Sequence, residues 1–145
     1  MTRNNVFAHK STVTLQRFAG LPSYVLKAVA AIKTDGIEFS AIKEACNESG
    51  IAYECPGVIG ETVIHFVFPK LKAGLLIRSD SSTHYKTKIS KCENMGWAVT
   101  AIHISALRAI SYDAIISQFT EFIATLKTSR KNSNGGINRC KHMIS

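Results

Sequence analysis

Four side chains that could bind a metal ion lie close together in the sequence, together with one that suits phosphate. His65, His84 and His103 carry imidazole nitrogens, and Asp80 carries a carboxylate. Imidazole is a good ligand for transition-metal ions, so these groups could form an unusual metal site. Arg78 instead carries a planar, permanently charged group that donates two hydrogen bonds to phosphate. The stretch is therefore compatible with metal-assisted cleavage or with phosphate binding alone.

The hydrophobic pattern around these residues predicts the elements that must position them. Residues 63–68 are rich in β-branched and aromatic side chains, and residues 73–77 are nearly all apolar, which predicts two strands. Residues 84–95 have helical spacing and stop at Gly96, and a further strand begins at Trp97. A strand, a crossover helix and a strand make a βαβ unit, which should be parallel and right-handed. In such a strand His103 is out of phase with its apolar neighbours, which predicts that it faces the other side of the sheet.

The remaining segments complete an α/β domain. Pro22 suits the first turn of one helix, and Asp35 to Glu38 has the spacing of a capping box that would begin a second helix. We expect a short strand over residues 51–55 and a last amphipathic helix over residues 113–126. The predicted order is α-α-β-β-β-α-β-α: a mixed sheet with flanking helices and basic, extended termini.

Composition limits the class of protein. A chain of 145 residues with 46% hydrophobic residues can bury one core, so we expect a single domain over residues 21–126. No apolar run approaches the roughly 20 residues of a membrane span. The cysteines have no C-x-x-C spacing, which favours scattered reduced thiols over a disulfide framework and argues against structural zinc. They are Cys46, Cys55, Cys92 and Cys140.

The charges are unevenly distributed along the chain. All ten acidic residues lie between Asp35 and Glu121, whereas each end has five basic residues and no acid. The basic residues at the two ends are Arg3, Lys10, Arg17, Lys27, Lys33, Lys127, Arg130, Lys131, Arg139 and Lys141. Basic arms around a nearly neutral body suit contacts with phosphate backbones that do not read bases. The alternative is that residues 1–20 and 127–145 are solubilising tails.

The first twenty residues contain basic and hydroxyl side chains without any acid. This composition is typical of a mitochondrial transit peptide, and the segment lacks the hydrophobic core of a secretory signal. A basic arm retained in the mature protein is the competing interpretation. Either interpretation is compatible with a mitochondrial location.

Phe66 and Pro69 are followed along the chain by His84 and by the corner from Met95 to Val99. With these residues, the stretch 50–108 resembles the core of the PD-(D/E)xK nuclease superfamily, especially the branch of very-short-patch-repair endonucleases. They are also similar to the RAP domain of organellar RNA-binding proteins. In that pattern one strand ends in Asp-Phe-x-x-Pro, and the next reads Lys-Leu-x-Ile-Glu-x-Asp-Gly before a His. A helix then leads to Leu-Gly-Trp-x-Val. Here Phe66, Pro69 and His84 match the pattern, and so does the corner from Met95 to Val99.

The resemblance implies a metal site whose carboxylates are missing from this chain. These nucleases hold Mg²⁺ with carboxylates, because a hard cation prefers oxygen ligands. His65 stands at the position of the first Asp, Leu76 at that of the Glu, and Arg78 at that of the next Asp. Asp80 lies past the end of the strand. The degenerate active-site positions are therefore His65, Leu76, Arg78 and His84, with no catalytic residue and no cofactor expected.

Two function classes follow, and a third remains open. The first is a non-catalytic RNA-binding protein, an accessory subunit of an organellar ribonucleoprotein such as the mitochondrial ribosome, in contact with ribosomal RNA and neighbouring proteins. The second is an active endonuclease that uses His65, Asp80, His84 and His103 as metal ligands. The third is a protein-binding adaptor on a nuclease-like scaffold. For the first class, the residues expected to bind RNA are Arg78, Lys70, Lys72, Lys86, Lys88, Arg3, Lys10, Arg17, Lys127, Arg130, Lys131, Arg139 and Lys141. Tyr85 and Trp97 could stack on bases, although core packing is the favoured role.

Overall fold

A central three-stranded sheet organises the protein. The computed structural model describes the backbone of residues 20–144 and the side chains of residues 20–129. Strands β3 (Phe66–Phe68), β4 (Ala73–Arg78) and β5 (Ala98–His103) lie side by side in that order. The β3 and β4 strands are antiparallel, and β4 and β5 are parallel with Ala73 opposite Ala98. The parallel strand–helix–strand unit predicted from the sequence is confirmed.

Helices and a hairpin cover this sheet. Two helices, α1 (Ser23–Ala31) and α2 (Ile37–Glu48), precede a separate hairpin of β1 (Gly57–Ile59) and β2 (Thr62–Ile64). The crossover helix α3 (Tyr85–Asn94) joins β4 to β5, and α4 (Ile104–Arg108) and α5 (Tyr112–Ile144) follow. A single 3-10 turn, Pro69–Leu71, connects β3 to β4. The predicted class, a mixed sheet with flanking helices, is confirmed.

The sheet is buried on both faces because alternate side chains of β4 enter different cores. Ala73, Leu75 and Ile77 pack in a large cluster with residues of α2 and α5. Leu76 points to the opposite face, into a cluster formed by the hairpin and α3. A third cluster joins α1 to the hairpin through Val25, Val29 and Val63. The β4 strand is therefore the middle of three layers, with α2 and α5 on one side and α3 and the hairpin on the other.

Two helix ends follow the glycine signals in the sequence. Gly96 has a φ of 87°, and the Trp97 amide donates to the Cys92 carbonyl at 3.1 Å. Gly50 has a φ of 66°, and the Ile51 amide donates to the Cys46 carbonyl at 3.2 Å. These left-handed glycines satisfy carbonyls that the last turn of a helix leaves free. The predicted ends of α2 and α3 are confirmed.

The strand predicted over residues 51–55 is wrong. Only an isolated bridge between Glu54 and Val67 forms there. The chain pairs instead just beyond this segment, because Gly60 adopts a φ of 65° in a two-residue turn that closes the β1–β2 hairpin. The run over residues 63–68 is also interrupted at His65, which separates β2 from β3.

The extended C-terminal tail expected from residue 127 is wrong as well. The backbone of α5 continues to Ile144 rather than ending at Leu126. Lysine and arginine after Leu126 favour helix, and each glycine of the Asn-Gly-Gly segment costs only about 1 kcal/mol within one. The N-terminal arm, residues 1–20, lies outside the described residues except for Gly20.

Among the described residues, Cys46, Cys55 and Cys92 are buried and form no disulfide, in line with the scattered reduced thiols that the sequence predicted. The side chain of Cys140 lies outside the described part. Burial raises the pKa of Cys46 to about 12, so this thiol is protonated at neutral pH. Within residues 20–144, no helix is long and apolar enough to cross a membrane.

We expect Gly57→Ala to destabilise the fold, since the hairpin lies closely against β3 there. An added Cβ would lie 2.3 Å from Cγ2 and 2.6 Å from Cβ of Val67, a buried and rotationally stiff side chain. Overpacking of this kind costs about 1–3 kcal/mol. Urea unfolding should detect the loss. Gly20→Ala is the control, because its Cβ would meet no atom within 4 Å; equal stability of the two variants would contradict the prediction.

Candidate nucleic-acid interface

A cleft of about 210 Å³ lies where β4 ends and α3 begins. Three of the four degenerate active-site positions, His65, Leu76 and His84, line it. The fourth, Arg78, lies beside it with its guanidinium carbon 4.8 Å from the centre of the Tyr85 ring, which also lines the cleft. The full lining is His65, Leu76, Ile77, Ser82, Thr83, His84, Tyr85 and Lys88. The residues matched by resemblance thus surround one cavity, and no carboxylate is among its lining residues.

His65 forms one wall of the cleft and is held by the backbone. The Ile77 amide donates a hydrogen bond of 3.0 Å to its Nδ1, so the ring takes the place of a strand carbonyl between β2 and β3. The Phe39 ring lies 5.6 Å from it, centre to centre. Burial and, secondarily, the positive charge of Lys88 lower the pKa of His65 to about 4. The imidazole is therefore neutral at physiological pH and carries its proton on Nε2.

Leu76 forms an apolar floor where the resemblance places a carboxylate. Its side chain is 3% exposed and packs with Val67, Cys92 and Val99. A charged group at this position would lose its hydration inside a hydrophobic cluster. Leu76, which stands where the resemblance places a carboxylate, is therefore a packing residue of the second hydrophobic cluster.

Arg78 and Tyr85 form a cation–π pair at the edge of the cleft. The pair joins the last residue of β4 to the first residue of α3, so it fixes the guanidinium beside the opening. Tyr85 also packs against the second hydrophobic cluster, as does Trp97. Both aromatic residues thus take the core role that the sequence favoured, while Tyr85 retains contact with the cleft.

The structure does not gather the four residues of the alternative metal site. His103 donates or accepts at 2.9 Å with Asp80, and its Nδ1 accepts from the Ser105 amide at 3.1 Å. Neither His103 nor Asp80 lines the cleft that contains His65 and His84. Among the described residues, no three His, Cys, Asp or Glu side chains are placed to hold one ion. His103 instead caps α4.

The predicted basic residues fall into separate groups. Lys86 and Lys88 are exposed on α3, on the same layer as the cleft. Lys70 and Lys72 lie before the first residue of β4, at the end of that strand opposite Arg78. Five residue steps of a strand span about 16 Å, so these lysines do not join Arg78 in one contact.

Most of the basic residues in the two arms lie outside the described part of the structure. Arg3, Lys10 and Arg17 lie outside the described residues, and the side chains of Arg130, Lys131, Arg139 and Lys141 do as well. Lys127 is on α5 and donates to the Ser49 carbonyl at 2.7 Å. It therefore ties α5 to the end of α2, a structural contact that the sequence did not indicate.

Helices α2 and α3 carry opposite net charge. Helix α3 has three lysines and one glutamate, whereas α2 has three glutamates and one lysine. They cover opposite faces of the sheet. The cleft adjoins the lysine-rich helix α3, at the end of β4 where Arg78 lies. Ser82 and Thr83 were missed as site residues; the polar run between a strand end and a helix start was the available signal.

Comparisons with known proteins give one structural likeness. No known protein family matches the sequence, and no curated protein matches it. Among solved structures, the chain is similar to the Homing Endonuclease I-Bth0305I Catalytic Domain, with 23% sequence identity and a TM-score of 0.48. The likeness covers 63% of this chain and 97% of that chain.

We expect the stability of the protein to fall as the pH is lowered from about 6.5 to 4. Over this range the unfolded chain protonates His65 at its ordinary pKa, whereas the folded protein, with a pKa of about 4, does not. The unfolded state therefore binds more protons, and the loss reaches about 3 kcal/mol at most. His65→Asn can keep an acceptor for the Ile77 amide without titrating, so urea unfolding should show a smaller change with pH.

His84→Asn is the matched control, because His84 is an exposed histidine of the same cleft. This variant should keep the pH dependence of the wild-type protein. A His65→Asn protein that loses as much stability as wild type between pH 6.5 and 4 would show that another group causes the effect.

Proposed function

We propose that this chain is a non-catalytic RNA-binding protein that contacts phosphates with the α3 side of its sheet. The observation that carries the proposal is the cleft between β4 and α3. Its lining includes Lys88 and two histidines but no carboxylate, and Arg78 is fixed at its edge. An arginine and a lysine beside an apolar floor can bind a polyanion, whereas the lining lacks the carboxylates through which proteins usually hold Mg²⁺.

Three further features support binding over cleavage. His65 is neutral and hydrogen-bonded through Nδ1, which removes that nitrogen as a metal ligand. Leu76 fills the floor with hydrocarbon. The excess of lysine on α3 favours the approach of phosphates to this layer. RNA is preferred over DNA because of the sequence resemblance to RAP domains, and a role in a mitochondrial ribonucleoprotein stays a prediction of the sequence.

Arg78→Glu should weaken RNA binding by about tenfold or more, because a charge-assisted hydrogen bond contributes about 1.5–3 kcal/mol. Filter binding with a labelled single-stranded RNA measures the affinity, and thermal melting checks the fold. Lys33→Glu is the charge-matched control, since Lys33 is exposed on the connection between α1 and α2 and does not line the cleft. Equal losses in the two variants would mean that overall charge, and not this site, determines affinity.

Cleavage and binding assays on the same purified protein distinguish the competing functions. Incubation with RNA or plasmid DNA and Mg²⁺ or Mn²⁺ should give no cleavage; turnover that His65→Ala abolishes would establish an active nuclease. Affinity for RNA should fall as salt rises, with a slope of about 0.7 per phosphate contact on a single strand. A protein-binding adaptor would instead bind its partner with little dependence on salt.

Deletion of residues 130–145 should also reduce RNA retention relative to the full chain. It removes Arg130, Lys131, Arg139 and Lys141 but keeps the contact between Lys127 and Ser49. The salt slope in filter binding should become shallower than that of the full chain, because fewer phosphates are neutralised. Unchanged retention and slope would remove the C-terminal segment from the binding surface.

A further inference from the structure

The floor of the cleft is unsuited to a phosphate. The apolar side chains of the lining on the α3 face are Leu76 and the half-buried ring of Tyr85, since the Ile77 side chain packs on the opposite face of the sheet. Phosphate oxygens placed against these side chains would lose water without gaining a hydrogen-bond partner. A flat group with a weakly polar edge would bury its faces there at little cost. The inner part of the cleft therefore suits an aromatic ring.

His65, the polar group on the inner wall, can form a hydrogen bond with the edge of such a ring. His65 accepts from the Ile77 amide at Nδ1, so its neutral imidazole presents an N–H at Nε2. A neutral donor is satisfied by a carbonyl oxygen or a ring nitrogen, both of which nucleobases carry on their edges. Thr83 and His84 are exposed members of the lining and add hydrogen-bonding groups near the rim.

The cations lie at the opening. Lys88 is exposed on α3, and the guanidinium of Arg78 lies over the Tyr85 ring. An apolar interior with positive charge at its rim matches the division within a nucleotide, in which the base is flat and weakly polar and the phosphate is anionic. Bases that are unstacked also pack on aromatic side chains and on guanidinium planes.

We propose that the cleft takes one unpaired nucleobase of single-stranded RNA, with the adjoining phosphates at Lys88 and Arg78. This inference rests on the proposed RNA binding and deepens it by naming the part of the ligand that enters the cavity. A base within a duplex is paired and stacked, so its entry requires the energy of unpairing. The site therefore selects single strands, loops or ends.

Two probes of equal charge test the inference on the wild-type protein. One is a fluorescein-labelled oligouridine of about 12 nucleotides, and the other is an abasic ribose-phosphate chain of the same length. Fluorescence anisotropy should show oligouridine binding about tenfold tighter or more, since one stacked base contributes about 1–3 kcal/mol. A 2-aminopurine placed in the oligonucleotide should also change its emission when it enters the cleft.

Variants of the protein distinguish contacts with the base from contacts with the phosphate. Lys88→Ala should weaken binding of both probes by the same factor. Tyr85→Ala removes the ring and also releases Arg78, so it should weaken oligouridine more than the abasic chain. Tyr85→Phe keeps the ring and its contact with Arg78, so it should retain the preference for oligouridine. Equal affinity of wild-type protein for the two probes overturns base insertion and leaves phosphate binding in place. Binding of neither probe at low salt overturns the proposed function as well.

Discussion

The burial of β4 on both faces is the constraint on which the rest of the structure depends. Five of its six residues are buried, and their side chains alternate between two hydrophobic clusters. A strand packed in this way has no room for a charged group along its length. Arg78, the last residue, is where the strand emerges from both layers. The candidate site therefore lies at the end of this strand.

His65 links that constraint to the cleft. The histidine stands at the break between β2 and β3, where its ring receives the Ile77 amide in place of a backbone carbonyl. A buried amide without a partner would destabilise the fold, so the ring has a structural task as well as a place in the lining. Its low pKa follows from the same burial. The same side chain thus forms a wall of the cleft and completes the hydrogen bonding of the central strand.

The sequence predicted the parts of the fold that leave strong periodic signals. The apolar run of β4, the helix ended by Gly96 and the parallel return strand all came from local pattern. The β1–β2 hairpin was missed because its strands have three residues each, and their pairing depends on the unusual φ of Gly60. The end of α5 was missed because the sequence after Leu126 has no apolar stripe. The prediction ended the helix where that stripe ends.

The sequence predicted only part of the candidate site, because local pattern does not show which distant residues meet in space. Resemblance placed His65, Leu76 and His84 together, and the cleft brings them together. Lys70 and Lys72 were assigned to the same surface because they are near Arg78 in sequence, yet an extended strand separates them from it in space. The pairing of His103 with Asp80 arises from the register of β4 against β5, which no local pattern reveals.

The opposite charges of α2 and α3 have a kinetic consequence. The lysines of α3 create a positive local potential beside the cleft, whereas the glutamates of α2 create a negative one on the opposite face of the sheet. Under the proposed function, a polyanion would be attracted toward the α3 side before contact, so that productive encounters outnumber random ones. Association would then be fastest in dilute buffer and would slow once the Debye length becomes shorter than the thickness of the fold.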